Sequence, residues 1–190
     1  MAKKALVLLA DGFEEVEAVT PIDYLRRAGV AVTVATVAGS LAVRGSHGIT
    51  VTADALLSGL GSGGWDAVVL PGGMPGASNL AASAPAGQIL RDTAAAGKLV
   101  AAICASPAVA LAPWGLLDGR RWTCYPGMED RAFAAAPALK AGWTDIRVVT
   151  DGNIITSRGA GTAGLFATAI IARLVDEEAA RKISASVLME

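Results

Sequence analysis

Three short apolar runs constrain this chain most: the opening "KALVLLA", the centre of "WDAVVLPGG", and "KLVAAIC". None alternates apolar with polar residues, as a strand wet on one face would. A continuous run of this length is the pattern of a parallel strand covered on both faces. Between the first run and the β-branched "VAVTVATVA" lies "EEVEAVTPIDYLRRAG", which reads as a helix. Val16, Val19, Ile22 and Leu25 recur at three-residue spacing, Arg26 and Arg27 suit a helix C-terminus, and Gly29 suits its left-handed cap. Pro21 falls inside this helix and is expected to kink it. The opening is therefore βαβ. Later segments repeat the scheme: "NLAASAPAGQILRDTAAAG" is helical material broken near Pro85, and "AGLFATAIIARLVDEEAARKI" closes the chain as a helix or helix pair. "IRVVTDGNIITS" places Asp-Gly between β-branched runs, the strongest short hairpin signal. The fold class expected is an α/β, three-layer α/β/α sandwich around a mainly parallel sheet with a small hairpin. No linker, repeat or low-complexity block divides residues 1–190, so one domain is expected.

The stretch from Leu99 to Leu117 carries no charge and is long enough to span a bilayer, for which roughly 20 residues are needed. Pro107 and Pro113 interrupt it and alanine dominates it, so a buried strand followed by a buried helix is the better reading. The N-terminal apolar run, Ala5 to Ala10, is too short for a secretory signal. A cytoplasmic protein without a membrane partner is expected. Sixteen basic and 17 acidic side chains leave a net charge of −1, without the basic surplus that nucleic-acid binding needs. Cys104 and Cys124 form no CxxC pair, and with His47 the sole histidine a Cys/His zinc site is not expected.

In open α/β sheets ligands bind beyond the carboxyl ends of the strands. Three unusual segments stop there: "LADGFEEVE", "VLPGGMPG" and "ICASP". A free cysteine is often just a small buried hydrophobe. Cys104, however, sits between Ala102 and Ala105 with Ser106 and Pro107 ready to start a helix, the small-residue setting of a nucleophile elbow. A helix N-terminus there would lower the thiol pKa, and Cys104 is expected to be more acidic than Cys124. Gly72 and Gly73 form either a plain tight turn or a place where backbone N–H groups approach an oxyanion. Of Glu14, Glu15 and Glu17, two are expected on a solvated face. One turned inward beside Cys104 would hold and donate a proton. His47, in "RGSHGIT", reads as part of an exposed loop or hairpin.

With these residues in view, "LADGFEEVEAVTPIDYLRRAG", "VVLPGGMPGASNL", "VAAICASPAVAL" and "TSRGAGTAGLFA" resemble the ThiJ/PfpI superfamily, in the branch of the Parkinson-disease protein deglycase and its bacterial relatives. The resemblance runs from Lys4 to about Leu188, with the four motifs in family order. It implies a flavodoxin-like fold and a homodimer paired beside the first helix, with Arg27 and His47 on the dimer side. By position, Cys104 matches the reactive cysteine and Glu17 the protonated glutamate bonded to its sulfur. Gly73 and the Ala105 amide match the oxyanion-binding groups, and Arg158 a residue near the pocket. In "TCYPG" this chain departs from relatives with a histidine: Tyr125 stands there, and Cys124 is expected to join the pocket. Protease-like members carry a histidine directly after the cysteine, where this chain has Ala105. Class I amidotransferases need a downstream His-x-Glu, which is absent after His47.

The resemblance thus implies a cofactor-independent enzyme, without a metal, acting on small aldehydes such as reactive dicarbonyls or on early glycation adducts. Cys104 would form a hemithioacetal and Glu17 would shuttle the proton. The alternative is an oxidative-stress sensor or redox-regulated chaperone acting through oxidation of Cys104. A role in thiamine-precursor synthesis ranks below both, since no phosphate-binding motif is present.

Overall fold

The computed structural model describes residues 2–61 and 63–189. The apolar runs become β1 (Lys4–Leu9), β6 (Ala67–Leu70) and β7 (Leu99–Ile103), and every residue of these strands except Lys4 is buried. With β2 (Ala31–Thr36), the two-residue β5 (Ala55–Leu56), β8 (Val148–Asp151) and β9 (Ile154–Ser157), they form a seven-stranded sheet in the order β5-β2-β1-β6-β7-β9-β8. All neighbours are parallel except β8 and β9. That antiparallel pair closes with Asp151 opposite Ile154, and Gly152 in the turn has φ +59°, as the Asp-Gly signal implied. A separate hairpin, β3 (Ala42–Arg44) and β4 (Thr50–Thr52), carries the His47 loop at its tip.

Helices cover both faces. On one lie α1 (Glu15–Arg27), α5 (Ala163–Leu174) and α6 (Glu177–Ser186), packed on Val7, Leu9, Val69, Ala101 and Ile155. The other core joins Leu6, Leu8, Val68, Leu70 and Val100 to α3 (Ala84–Ala95), the 108–117 segment and α4 (Glu129–Ala135). The break near Pro85 separates α2 (Gly76–Ala81) from α3. There the Ser83 hydroxyl caps the Ala86 N–H at 3.4 Å and Pro85 occupies the first turn, where no N–H is needed. None of the helices among the described residues is long and apolar enough to cross a membrane.

Two expectations fail in detail. Pro21 stays within an unbroken α1, but the buried face of that helix is Glu17, Ala18, Pro21, Ile22 and Leu25, while Val16 and Val19 face outward. Nor does an ordinary helix follow β7. Pro107–Leu111 is a five-residue π-helical turn, with Ala112 N–H donating to the Pro107 carbonyl at 2.9 Å, and Pro113 follows directly. A proline has no N–H with which to extend the ladder.

Asp66, at the start of β6, ties three strand ends together. Its carboxylate accepts from the Lys4 N–H at 3.0 Å and from Lys98 Nζ at 2.8 Å. Chiefly the Lys98 bond holds its carboxyl below the ordinary value. A depressed folded pKa stabilises above the unfolded value, about 3.9, and that contribution is lost as pH falls through the folded pKa. Asp66→Asn is therefore expected to cost about 1 kcal/mol near neutrality, the scale of one half-solvated charged hydrogen bond. Urea midpoints at pH 7 and pH 3 check this: the gap between variant and parent should narrow in acid.

Candidate active site

The carboxyl ends of β1, β6, β7 and β9 bring four sequence-distant loops to one rim. Cys104, directly after β7, has φ +64°, the left-handed region that a side chain rarely occupies. The corner is held from three sides. Cys104 N–H donates to the Ser157 carbonyl at 2.9 Å, Tyr125 N–H donates to the Cys104 carbonyl at 2.8 Å, and the buried Ser106 hydroxyl donates to the Pro71 carbonyl at 2.5 Å.

Glu17 reaches this corner from α1 and is 1% exposed. Its Oε2 accepts the Gly72 N–H at 2.9 Å, and its carboxyl also bonds the Cys104 thiol. The N–H groups of Gly73 and Ala105 lie near enough to the Cys104 sulfur to favour its thiolate. The glycines are there for closeness: a Cβ on Gly72 would lie 2.4 Å from the Cys104 Cβ and 2.7 Å from Glu17 Oε2. Gly73 has φ +86°, and a Cβ there would meet the Glu14 nitrogen at 2.3 Å. Gly72→Ala is expected to cost about 1–3 kcal/mol of stability by overpacking. Displacing Cys104 from Glu17 should also lower turnover roughly 10²-fold, the typical result of a misplacement near 1 Å. Thermal unfolding and kcat/KM measured on the same preparation test both effects.

Burial pushes the Glu17 carboxyl up to about 7, against the Gly72 N–H and Cys104 bonds that pull it down. The Cys104 thiol is pushed up to about 12, by burial first and then by the Glu17 charge, with the Gly73 and Ala105 amides opposing. This corrects the expectation of a depressed thiol pKa. Burial and the Glu17 charge outweigh the two amides at this corner. The two groups are a coupled pair, and a proton on Glu17 removes the charge that opposes the thiolate. Cys124 is likewise pushed up to about 12, by burial and then by Glu129, so acidity does not separate the two cysteines as expected.

The other candidates disperse. Tyr125 is 50% exposed, and a Cβ on Gly159 would lie 3.3 Å from its ring and 3.8 Å from Glu17 Oε1, so it stands beside the site. Cys124 does not join the pocket. It is 1% exposed in the opposite core, with its thiol donating to Glu129 Oε2 at 3.7 Å, because neighbours along an extended segment point to opposite sides. Arg158 pairs with Asp145, and its charge acts on Cys124. Arg27 is an exposed partner of Asp23 at 2.7 Å, away from the rim.

Glu15 overturns the expectation that two of the three acids are solvated. Its side chain is only 6% exposed. Burial alone would raise its carboxyl, but its own N–H, the His47 ring and the N–H groups of His47 and Ile49 outweigh that and hold it at about 2. His47 is exposed, as expected, and is raised chiefly by its bond to Glu15, then by the Glu14 and Glu15 charges. Nothing in the spacing of "EEVE" and "RGSHGIT" signals this docking of two distant segments.

The rim of this α/β sandwich thus gathers a thiol in a left-handed corner and an internal carboxyl beside it. The chain belongs to the DJ-1/PfpI family, which it matches over residues 3–173. It is 41% identical to the Parkinson disease protein 7 homolog of Danio rerio over 189 residues, covering 99% of this chain and 98% of that one. A protein from Pyrococcus abyssi named as a deglycase is 36% identical over 158 residues, covering 83% of this chain and 91% of that protein. The solved structure of oxidized Toxoplasma gondii DJ-1 superimposes with a TM-score of 0.92 at 43% identity, covering 98% of each chain. The chain spans 42% of the length of the Arabidopsis thaliana DJ-1 homolog B, to which it is 41% identical over 187 residues, 98% of this chain.

Proposed function

We propose that this protein is a cofactor-independent enzyme acting on reactive dicarbonyls or early glycation adducts, with Cys104 as nucleophile. The observation that carries this reading is the meeting at one sulfur of the Glu17 carboxyl and the Gly73 and Ala105 N–H groups. With methylglyoxal, the Cys104 sulfur attacks the aldehyde carbon. A C–S bond forms as the carbonyl π pair moves to oxygen, and the amides stabilise the resulting oxyanion. Protonation gives the hemithioacetal. Glu17 then removes the proton from that carbon and returns it to the neighbouring carbonyl carbon, leaving a thioester of the 2-hydroxy acid. Water cleaves the C–S bond, releasing the acid and regenerating the thiol. Oxidation at one carbon balances reduction at the next, so no external oxidant enters. The deglycase name of the Pyrococcus abyssi relative supports the substrate class. Methylglyoxal consumption and lactate formation by the parent, set against Cys104→Ser, test it. Turnover unchanged in that variant overturns it.

A second reading rests on the amides facing the sulfur itself. They would stabilise oxygens added to Cys104, as in a redox sensor or redox-regulated chaperone, and the relative solved in an oxidized form supports this. Intact-mass analysis after peroxide, compared in Glu17→Gln, tests it. We further propose a homodimer. Val16 and Val19 of α1 and Leu41 and Ile49 of the β3–β4 hairpin are exposed apolar side chains, and the Glu15–Ile49 contact joins the two elements. Sedimentation of the parent against Val16→Asp checks it, with monomer expected for the variant.

A further inference from the structure

Where the β3–β4 hairpin docks on the start of α1, four side-chain donors converge. His47 Nδ1 lies 3.0 Å from Glu15 Oε2, 3.1 Å from Glu14 Oε2 and 3.1 Å from Ser46 Oγ. Ser46 Oγ is in turn 3.2 Å from Glu14 Oε2 and 3.4 Å from Glu15 Oε2. The Glu14, Glu15 and His47 ligand atoms all fall within 4.8 Å of one another. In the ion-free protein the cluster is an ion pair, with the His47 ring bonded to Glu15 and the Ser46 hydroxyl donating to the carboxylates. The same four atoms are also spaced to surround one cation. Bonds of 2.0–2.2 Å to nitrogen and oxygen in a tetrahedron set donors about 3.3 Å apart, close to these spacings.

The surroundings hold the donors in place independently of any ion. Glu15 is buried, and its Oε1 is taken by the N–H groups of His47 at 2.8 Å and Ile49 at 3.3 Å, which leaves Oε2 turned to the cluster. Backbone bonds from Ser46 N–H to Phe13 carbonyl and from Gly12 N–H to Arg44 carbonyl fasten the loop to the start of α1. Gly45 is needed for this fit, since a Cβ there would meet Glu15 Oε1. Orienting bonds of this kind accompany metal ligands.

We infer that Glu14, Glu15 and His47, with the Ser46 hydroxyl as fourth donor, bind one first-row divalent cation of the zinc class. Imidazole with carboxylates suits zinc better than magnesium or calcium, which prefer all-oxygen shells. Two carboxylates neutralise the dication, and His47 Nδ1 releases any proton it holds to solvent on binding. The ion would clip the hairpin to α1, the helix that carries Glu17. The site uses none of the groups that bond the Cys104 sulfur and needs no sulfur itself, so it does not rest on the enzymatic reading.

The test uses the full chain, stripped with a chelator and titrated with zinc chloride by calorimetry. One zinc per chain is expected, with a rise in melting temperature. X-ray absorption should find only nitrogen and oxygen at about 2.0–2.1 Å. His47→Ala should weaken zinc binding at least ~10-fold, the lower range for losing even an outer-shell partner. Because His47 is 72% exposed, that variant leaves the buried Glu15 anchor and the fold in place. A Cys104→Ser, Cys124→Ser double variant should bind zinc as the parent does. The inference is overturned if no stoichiometric zinc binds, if sulfur appears in the shell, or if His47→Ala binds as tightly as the parent.

Discussion

Glu17→Gln is expected to slow dicarbonyl turnover by roughly 10²–10⁴-fold, the range for loss of a general acid–base group. The substitution keeps shape and hydrogen bonding: the amide oxygen can still accept the Gly72 N–H that Glu17 Oε2 accepts at 2.9 Å. What it removes is the capacity to take a proton from one carbon and return it to the next. Stability should not fall, because a neutral amide at a position 1% exposed avoids the desolvation that pushes the Glu17 carboxyl up to about 7. Steady-state kinetics with methylglyoxal, alongside thermal unfolding, check the two halves together. A variant that folds and turns over near the parent rate removes Glu17 from the proton path.

The sheet was readable because strands covered on both faces must be apolar at every position, and "ALVLLA", "AVVL" and "LVAAI" are. The α1 face was not. Val16, Val19, Ile22 and Leu25 step by three residues, while a helix turns once in 3.6, so nine residues carry the stripe half-way round and place Val16 opposite Leu25. Glu17 and Ala18 take the buried side instead, in line with Pro21, Ile22 and Leu25. The short strand β5 left no trace because two residues carry no period. In the site, Cys104, Gly72 and Gly73 could be singled out from small neighbours and turn chemistry. The environment of the sulfur could not, because it depends on how deeply Cys104 and Glu17 are buried together. Cys124 was misplaced for a similar reason: adjacency in "TCYPG" cannot say that Tyr125 turns to the rim and Cys124 to the core.

Cys104→Gly is expected to abolish turnover and yet leave a more stable protein than Cys104→Ala. Both variants lack the sulfur that forms the C–S bond, so methylglyoxal consumption should fall to the uncatalysed level in each. Stability should separate them by backbone conformation. At φ +64° a Cβ crowds the neighbouring carbonyl, and left-handed backbone costs an L-residue roughly 1–2 kcal/mol that glycine does not incur. In an ordinary helix or strand the order is reversed, with glycine worse than alanine by roughly 0.5–1 kcal/mol. Both variants lose the same sulfur contacts, which leaves the sign of the difference to the corner itself. Urea unfolding of the two proteins at one pH reads it directly. An alanine variant as stable as the glycine variant, or more so, would mean that the elbow holds Cys104 without strain, and its left-handed geometry would then have no stability cost for the reactive thiol to offset.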